Sequence, residues 1–325
     1  MEKIDFVVTW VNGNDPEWLK KKQKYSPREE KLNTDIRFRD YGTFKYWFRA
    51  VEAYAPWVNK IYLVTEGHVP SWLNTDNNKL VLIKHSDYMP SRYLPTFNSN
   101  AIELNLHRIE NLSEHFVLFN DDLFLMNKTE PTDFFEKGLP KDFGVYSPTV
   151  PFNDFSSIIF NNVKVINNNF NKKKDVRRNF FKYFNFKYGK QNLRSALTIP
   201  WTKILGYWNP HLTNSFLKST FFEVWENEET LEKTSMNKFR TSEDVSQWLF
   251  RYFQIEEGKF VPQKASFGRY YTLNNFEEIK ASFKNSKVKE LCINDDFEVR
   301  DYDKKMKQLN DLFKKKFPQK STFEI

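Results

Sequence analysis

The chain has 325 residues, 40% of them apolar, enough to bury the core of one large α/β domain or two smaller ones. No stretch approaches the roughly 18 uninterrupted apolar residues of a membrane-spanning helix, and the single cysteine, Cys292, excludes an intramolecular disulfide and a multi-cysteine zinc site. Fifty basic against 42 acidic residues give a net charge of +8, which favours anionic partners without choosing among nucleotides, phosphoglycans and acidic lipid.

Ile4 to Val11 reads as a buried strand, preceded by no long apolar leader, so a cytoplasmic protein is expected. Asn12-Gly13-Asn14-Asp15-Pro16 is then a turn, with Asp15 as N-cap and Pro16 at the first position of a helix reaching about Gln23. Phe44, Trp47, Phe48 and Val51 have helical spacing and predict a helix over 44–54, which Pro56 ends before a strand at 60–65. The pattern repeats with a strand at Leu80–Lys84, a helix at Asn100–Leu112 and a strand at His115–Phe119. Such alternation predicts an α/β fold, a mostly parallel sheet flanked by helices, whose ligands sit at the carboxyl ends of the strands. Asn12–Asp15 and Asn120–Asp122 fall at such ends. No G-x-G-x-x-G or Walker pattern occurs and glycines number nine, so any nucleotide is held without a glycine-rich phosphate loop.

From Thr129 to Pro200 the regularity fades into an irregular, partly helical insertion or lid. Its basic aromatic stretch, Lys172–Lys190, suits a glycan, a lipid head group or nucleic acid, and equally a buried aromatic face with solvated lysines. Ser242 is expected to cap a helix that turns Val245, Trp248, Leu249, Tyr252 and Phe253 inward. Asp301–Phe317 puts Met306, Leu309, Leu312 and Phe313 on one face and lysines on the others, a basic amphipathic tail suited to a membrane surface. The chain thus divides into an α/β half (1–128), the insertion (129–200), a second catalytic half (201–300) and the tail (301–325).

Asn120-Asp121-Asp122 is the sharpest chemical signal, because two carboxylates sit between Phe116–Phe119 and Leu123–Leu125, where unpaired charge is costly. A divalent cation with oxygen ligands meets that need, as does a plain surface turn. Glu103 has the reach of an acid, base or ligand, yet Asn100 and Glu103 also have capping-box spacing. For His107, His211 and Arg240 the residues alone favour structural or solvated roles, although a guanidinium clamps phosphate well.

Ile4-Asp5-Phe6-Val7-Val8-Thr9-Trp10-Val11-Asn12-Gly13-Asn14-Asp15 resembles the first conserved block of the Stealth family of sugar-phosphate transferases. Arg37-Phe38-Arg39-Asp40, Val64-Thr65-Glu66-Gly67-His68-Val69-Pro70, Leu94-Pro95-Thr96-Phe97-Asn98-Ser99-Asn100-Ala101-Ile102-Glu103 and Phe119-Asn120-Asp121-Asp122 are similar to its second block. His211 with Lys238-Phe239-Arg240-Thr241-Ser242-Glu243-Asp244-Val245 is similar to the third, and Cys292-Ile293-Asn294-Asp295-Asp296 to the fourth.

The resemblance implies a nucleotide-sugar-transferase-like (GT-A-like) fold and transfer of hexose 1-phosphate in bacterial cell-surface polysaccharide synthesis. The donor is a UDP-hexose or UDP-N-acetylhexosamine and the acceptor a lipid-linked oligosaccharide or polysaccharide, at the inner face of the membrane if the tail docks there. It carries catalytic roles onto Glu103, Asp122, His211 and Arg240, which should converge on one pocket. Thr9, Asn12, Gly13, Asp15, Arg37, Arg39, Asn98 and Arg108 are expected to bind the donor, and Asp121, Asp122, Asn294 and Asp295 a Mg²⁺ or Mn²⁺ ion. No nucleic acid is expected as a partner. Two other readings stay open: an ordinary glycosyltransferase that releases UDP, and a non-catalytic binder of anionic polymer or membrane.

Overall fold

The computed structural model describes residues 2–26, 41–295 and 299–325. A five-stranded sheet in the order β3-β2-β1-β4-β8 forms its centre, built from β1 (Ile4–Thr9), β2 (Ile61–Thr65), β3 (Leu80–Lys84), β4 (His115–Phe119) and β8 (Asn214–Leu217). β1 to β4 run parallel, and β8 joins the edge antiparallel to β4. β1 is apolar from Phe6 to Val8 because both of its faces are covered, and its buried Asp5 is satisfied by Asn59, Lys60 N–H and Ser113 N–H. Ile4, Phe6 and Val8 enter one core and Val7 the other, as strand alternation requires. β4 divides the same way, Val117 and Phe119 to one side and Phe116 and Leu118 to the other.

Two smaller sheets flank the first. β5 (Leu123–Leu125) pairs with β11 (Glu290–Asn294), which pairs with β10 (Gly268–Thr272); β6 (Phe135–Glu136), β7 (Leu139–Asp142) and β9 (Val261–Pro262) make the third. The helix Phe44–Tyr54 has the bounds its spacing predicts. It covers the first core together with the tail helix Tyr302–Lys316, whose Leu309 and Phe313 are buried and whose Met306 and Leu312 pack against the same core. The apolar face of the tail is therefore occupied by the protein itself, which removes the basis for its expected membrane role. Beyond it, Arg49 grips Glu324 with two hydrogen bonds of 2.7 Å and Phe323 packs 5.2 Å from Phe48. Ile325 N–H donates to Trp72 O at 3.0 Å.

Two expected helices differ from the sequence reading. The one expected at Asn100–Leu112 is a short helix, Ser99–Leu104, followed by a single 3₁₀ turn at Leu106–Arg108. Asn105 ends it, because its side-chain amide donates to Ala101 O at 2.8 Å and to Ser235 Oγ at 2.9 Å. Ser242 caps nothing, and the helix starts only at Trp248 and ends at Glu256.

The insertion is more regular than expected, with helices at Asp154–Asn169, Lys172–Arg178 and Asn192–Thr198. It is seated on Glu256, which accepts hydrogen bonds from Tyr146 OH (3.0 Å) and Tyr207 OH (2.8 Å). Burial pushes the Glu256 carboxyl up to about 8, against an ordinary value of 4.5. The folded chain therefore holds a proton there that the unfolded chain releases, and stability falls as pH rises from about 4.5 to about 8. Glu256→Gln keeps an acceptor and removes the titration, so its thermal midpoint should decline less than that of the parent between pH 6 and 8.5. The difference in unfolding free energy should be on the order of a few kcal/mol; parallel melting curves would mean that Glu256 is already ionised in the fold.

Candidate active site

Three stretches of chain meet where β4 ends. Asn120–Asp122 is the corner at which the chain leaves the central sheet, closed by Leu123 N–H to Asn120 O at 3.2 Å, and enters the second sheet as β5. β8 runs against β4 with Asn214 opposite Leu118, so His211, three residues earlier, arrives at the same corner. β11 pairs with β5 through Cys292 opposite Leu123, and Ile293 N–H donates to Asp122 O at 2.9 Å. Among the described residues, Asp122, His211 and Cys292 form the one group of three whose ligand atoms all lie within 4.8 Å of each other.

Asp122 is the buried member of the acidic pair. Its Oδ2 accepts from the Cys292 thiol at 3.4 Å, while its Oδ1 is buried with no hydrogen-bond partner. Burial raises its carboxyl above the usual range, and His211 and the thiol partly offset that rise. Burial beside Asp122 also pushes the Cys292 thiol well up, so it stays protonated as a donor to that carboxylate. Asp121 and Asp295 both raise the Tyr41 hydroxyl, Asp295 also through a hydrogen bond, which puts both acids around one phenol. Asn294 directs its amide to Tyr270 OH at 3.4 Å.

His211 has φ +53°, a left-handed conformation that is uncommon for a residue with a Cβ and recurs at functional sites. Its ring lies 5.9 Å from Trp248 and 5.1 Å from Tyr270, centroid to centroid. It opens into a narrow cleft bounded by Asn209, Thr213, Trp248 and Arg251.

Glu103 and Arg240 make a second pair. Glu103 is buried on the Ser99–Leu104 helix, which Asn98 caps, accepting from Asn100 N–H at 3.0 Å; the capping box from Asn100 is therefore absent. Burial pushes the Glu103 carboxyl up to about 7, and the nearby Arg240 guanidinium opposes the rise. Arg240 also donates to Ser99 Oγ, one turn before Glu103. Its loop is held by Asp244, which receives Asn98 Nδ2 at 2.8 Å and Asn237 Nδ2 at 2.8 Å. Phe97 stacks on Phe239 at 5.1 Å and meets Trp18 at 5.6 Å, which ties that loop to the Pro16–Tyr25 helix behind the β1 turn. The four expected catalytic residues thus fall into two pairs, Asp122 with His211 and Glu103 with Arg240.

The β1 turn follows Thr9, the last residue of the strand, and the Gly13 position lies within it. Asn12 accepts from Asn14 N–H through Oδ1 (3.0 Å) and donates its own N–H to His68 Nε2 (2.9 Å). Asp15 caps Trp18 N–H at 2.8 Å, as its position before Pro16 predicts. Arg108 takes part elsewhere, 4.8 Å over the Trp225 ring and bonded to Asn105. His107 is packing, buried among Phe221, Phe222 and Trp225, with burial lowering its ring to about 3. Arg37, Arg39 and Asp296 lie outside the described residues. Sequence reasoning missed Cys292, His68 and Asp244 as parts of the site: each stands in a quoted block, but its partner is distant in the chain.

The family models for Stealth protein conserved regions 1 and 2 match residues 2–30 and 37–142. The capsular polysaccharide phosphotransferase WcwK of Streptococcus pneumoniae is 48% identical, with 100% of this chain and 98% of that protein covered. The exopolysaccharide phosphotransferase cps2G of Lactiplantibacillus plantarum is 46% identical, with 99% and 96% covered. Among solved structures, galactosyltransferase LgtC in complex with donor and acceptor sugar analogs aligns over 96% of this chain and 95% of that one. At TM-score 0.41 and 9% identity, that likeness is too distant to weigh. Two matched regions and near-half identity over whole relatives make this chain a member of the Stealth family.

Proposed function

We propose that the protein is a phosphotransferase of bacterial cell-surface polysaccharide synthesis, moving hexose 1-phosphate from a UDP-sugar onto a hydroxyl of the growing glycan. The observation that carries this is the meeting of buried Asp122 with His211 at the carboxyl edge of β4, in a chain 48% identical over its whole length to a capsular polysaccharide phosphotransferase. The donor is a UDP-hexose or UDP-N-acetylhexosamine and lies over the β1 turn, where the N-terminus of the Pro16–Tyr25 helix favours its diphosphate. Thr9, Asn12, Gly13, Asp15 and Asn98 belong to that half of the site, and Arg37 and Arg39 complete the expected donor contacts.

The acceptor, a lipid-linked oligosaccharide or polysaccharide, approaches His211 at the mouth of its cleft, where the Trp248 and Tyr270 rings beside the imidazole offer faces for a sugar. His211 takes the proton of the acceptor hydroxyl. The oxygen attacks the phosphorus that bears the hexose, the bond to the bridging oxygen breaks in line, and UMP leaves with that oxygen and its electron pair. The product is a sugar phosphodiester. Arg240, with its charge held against Glu103, stabilises the transferred phosphoryl group.

Asp122, with its orphaned Oδ1, lies within reach of the His211 imidazole and suits a divalent cation, Mn²⁺ better than Mg²⁺, with Asp121, Asn294 and Asp295 as the further oxygen ligands expected of it. When bound, such an ion supplies positive charge to the diphosphate oxygens. The work is done on the cytoplasmic side, and contact with the membrane is peripheral.

Incubating the protein with a panel of UDP-sugars, Mg²⁺ or Mn²⁺ and a glycan acceptor should release UMP and leave a new phosphodiester. Release of UDP would assign glycosyl transfer instead, and no nucleotide release across the panel would sink both.

A further inference from the structure

The chain's positive charge is not spread over its surface. Lys172 to Lys203 contains ten lysines and arginines and one acid, Asp175, whereas the rest of the chain has 40 basic and 41 acidic side chains. The whole excess of +8 thus resides in about a tenth of the sequence. The same segment leaves large apolar side chains in water: Phe181 is 81% exposed, Phe186 86%, Leu193 and Leu197 64% each, and Trp201 52%.

These groups belong to one folded unit. Lys172 Nζ donates to Thr198 O at 2.5 Å and Trp201 O at 3.1 Å, which joins the two ends. Asn192 Nδ2 donates to Asn185 O at 2.8 Å, which fixes the Phe186 turn to the helix Asn192–Thr198. Leu193 and Leu197 are one turn apart on the outside of that helix. Lys173, Lys174 and Arg177 are exposed on the helix Lys172–Arg178, and Lys190 is exposed just before the helix Asn192–Thr198.

We infer that residues 172–203 form a docking surface for an anionic lipid bilayer, with Phe181, Phe186, Leu193, Leu197 and Trp201 entering the head-group layer and the lysines and arginines meeting lipid phosphate. Aromatic and aliphatic side chains beside Lys and Arg have the composition of an interfacial anchor. A soluble polyanion satisfies the charge but leaves the Phe and Leu side chains in water. A second copy of the chain satisfies the apolar groups but sets this basic patch against itself across a two-fold axis. The surface shares no residue with those assigned to transfer, so it stands or falls separately from that reading.

The test is cosedimentation of the full-length protein with vesicles of phosphatidylcholine alone and of phosphatidylcholine with phosphatidylglycerol, at low and high salt. Binding is expected only with phosphatidylglycerol and should weaken with salt. It should fall about tenfold in Phe186→Ser/Leu193→Ser and in Lys173→Glu/Lys174→Glu. Brominated phosphatidylglycerol should quench tryptophan fluorescence, and Trp201→Phe should abolish most of the quenching, a readout that does not depend on either double variant. The inference is overturned by absence of vesicle binding, by binding indifferent to the Phe186/Leu193 change, by equal affinity for soluble dextran sulfate, or by a stable dimer that the same change dissociates.

Discussion

Asp122→Asn is expected to lower UMP release by roughly a thousandfold while the thermal midpoint stays level or rises. The two effects have one cause. Asp122 is buried with Oδ1 unpartnered, and burial raises its carboxyl, so its negative charge is held against the preference of the fold. Asparagine occupies the same volume without that charge, which relieves the folded state and removes what a cation or the His211 imidazole answers to. Loss of turnover together with a collapsed melting curve would make Asp122 a structural residue of the β4 corner, and undiminished turnover would remove it from the chemistry.

Arg240→Met is expected to reduce kcat/KM by about a hundredfold and to move the acid limb of its pH profile upward, whereas Arg240→Lys should keep the limb in place. Glu103 is pushed up to about 7 by burial, with Arg240 opposing; without the guanidinium the carboxyl rises further, and the ionised form is reached only at higher pH. The stability sign is opposite to that of an ordinary salt-bridged acid. A carboxyl raised from 4.5 to about 7 favours the folded state least once pH passes 7, so Glu103→Gln should gain thermal midpoint relative to the parent at pH 8 and not at pH 5. An acid limb that ignores the residue at 240 would separate Glu103 from the reaction.

The sheet was legible because its strands obey local rules. β3, β4 and the helix Phe44–Tyr54 have the bounds their apolar spacing predicts, and Asp15-Pro16 marks the helix start at Pro16. The errors fall where a side chain competes with the backbone ladder. Asn105 stops one helix early, and Asp244 folds 241–244 back onto Asn98 and Asn237, so the next helix begins six residues after Ser242. The insertion resisted reading because several of its apolar residues face water and leave no inward period, although good N-caps, Asn153 and Asn171, stand before two of its helices. Asp122 was legible as a carboxylate in apolar sequence, but its neighbour Cys292 depends on the register of β11 against β5, which no local pattern displays.

Residues 317 to 325 close the core that β1 and β2 begin: Phe317 and Phe323 belong to it, Arg49 holds Glu324 and Phe317 O, and Leu73 bridges to Glu324. During synthesis on the ribosome, the first 128 residues emerge long before these partners exist. The half that is proposed to bind the nucleotide sugar then waits without Phe323 against Phe48, and reaches its final packing only after residue 325 has cleared the exit tunnel.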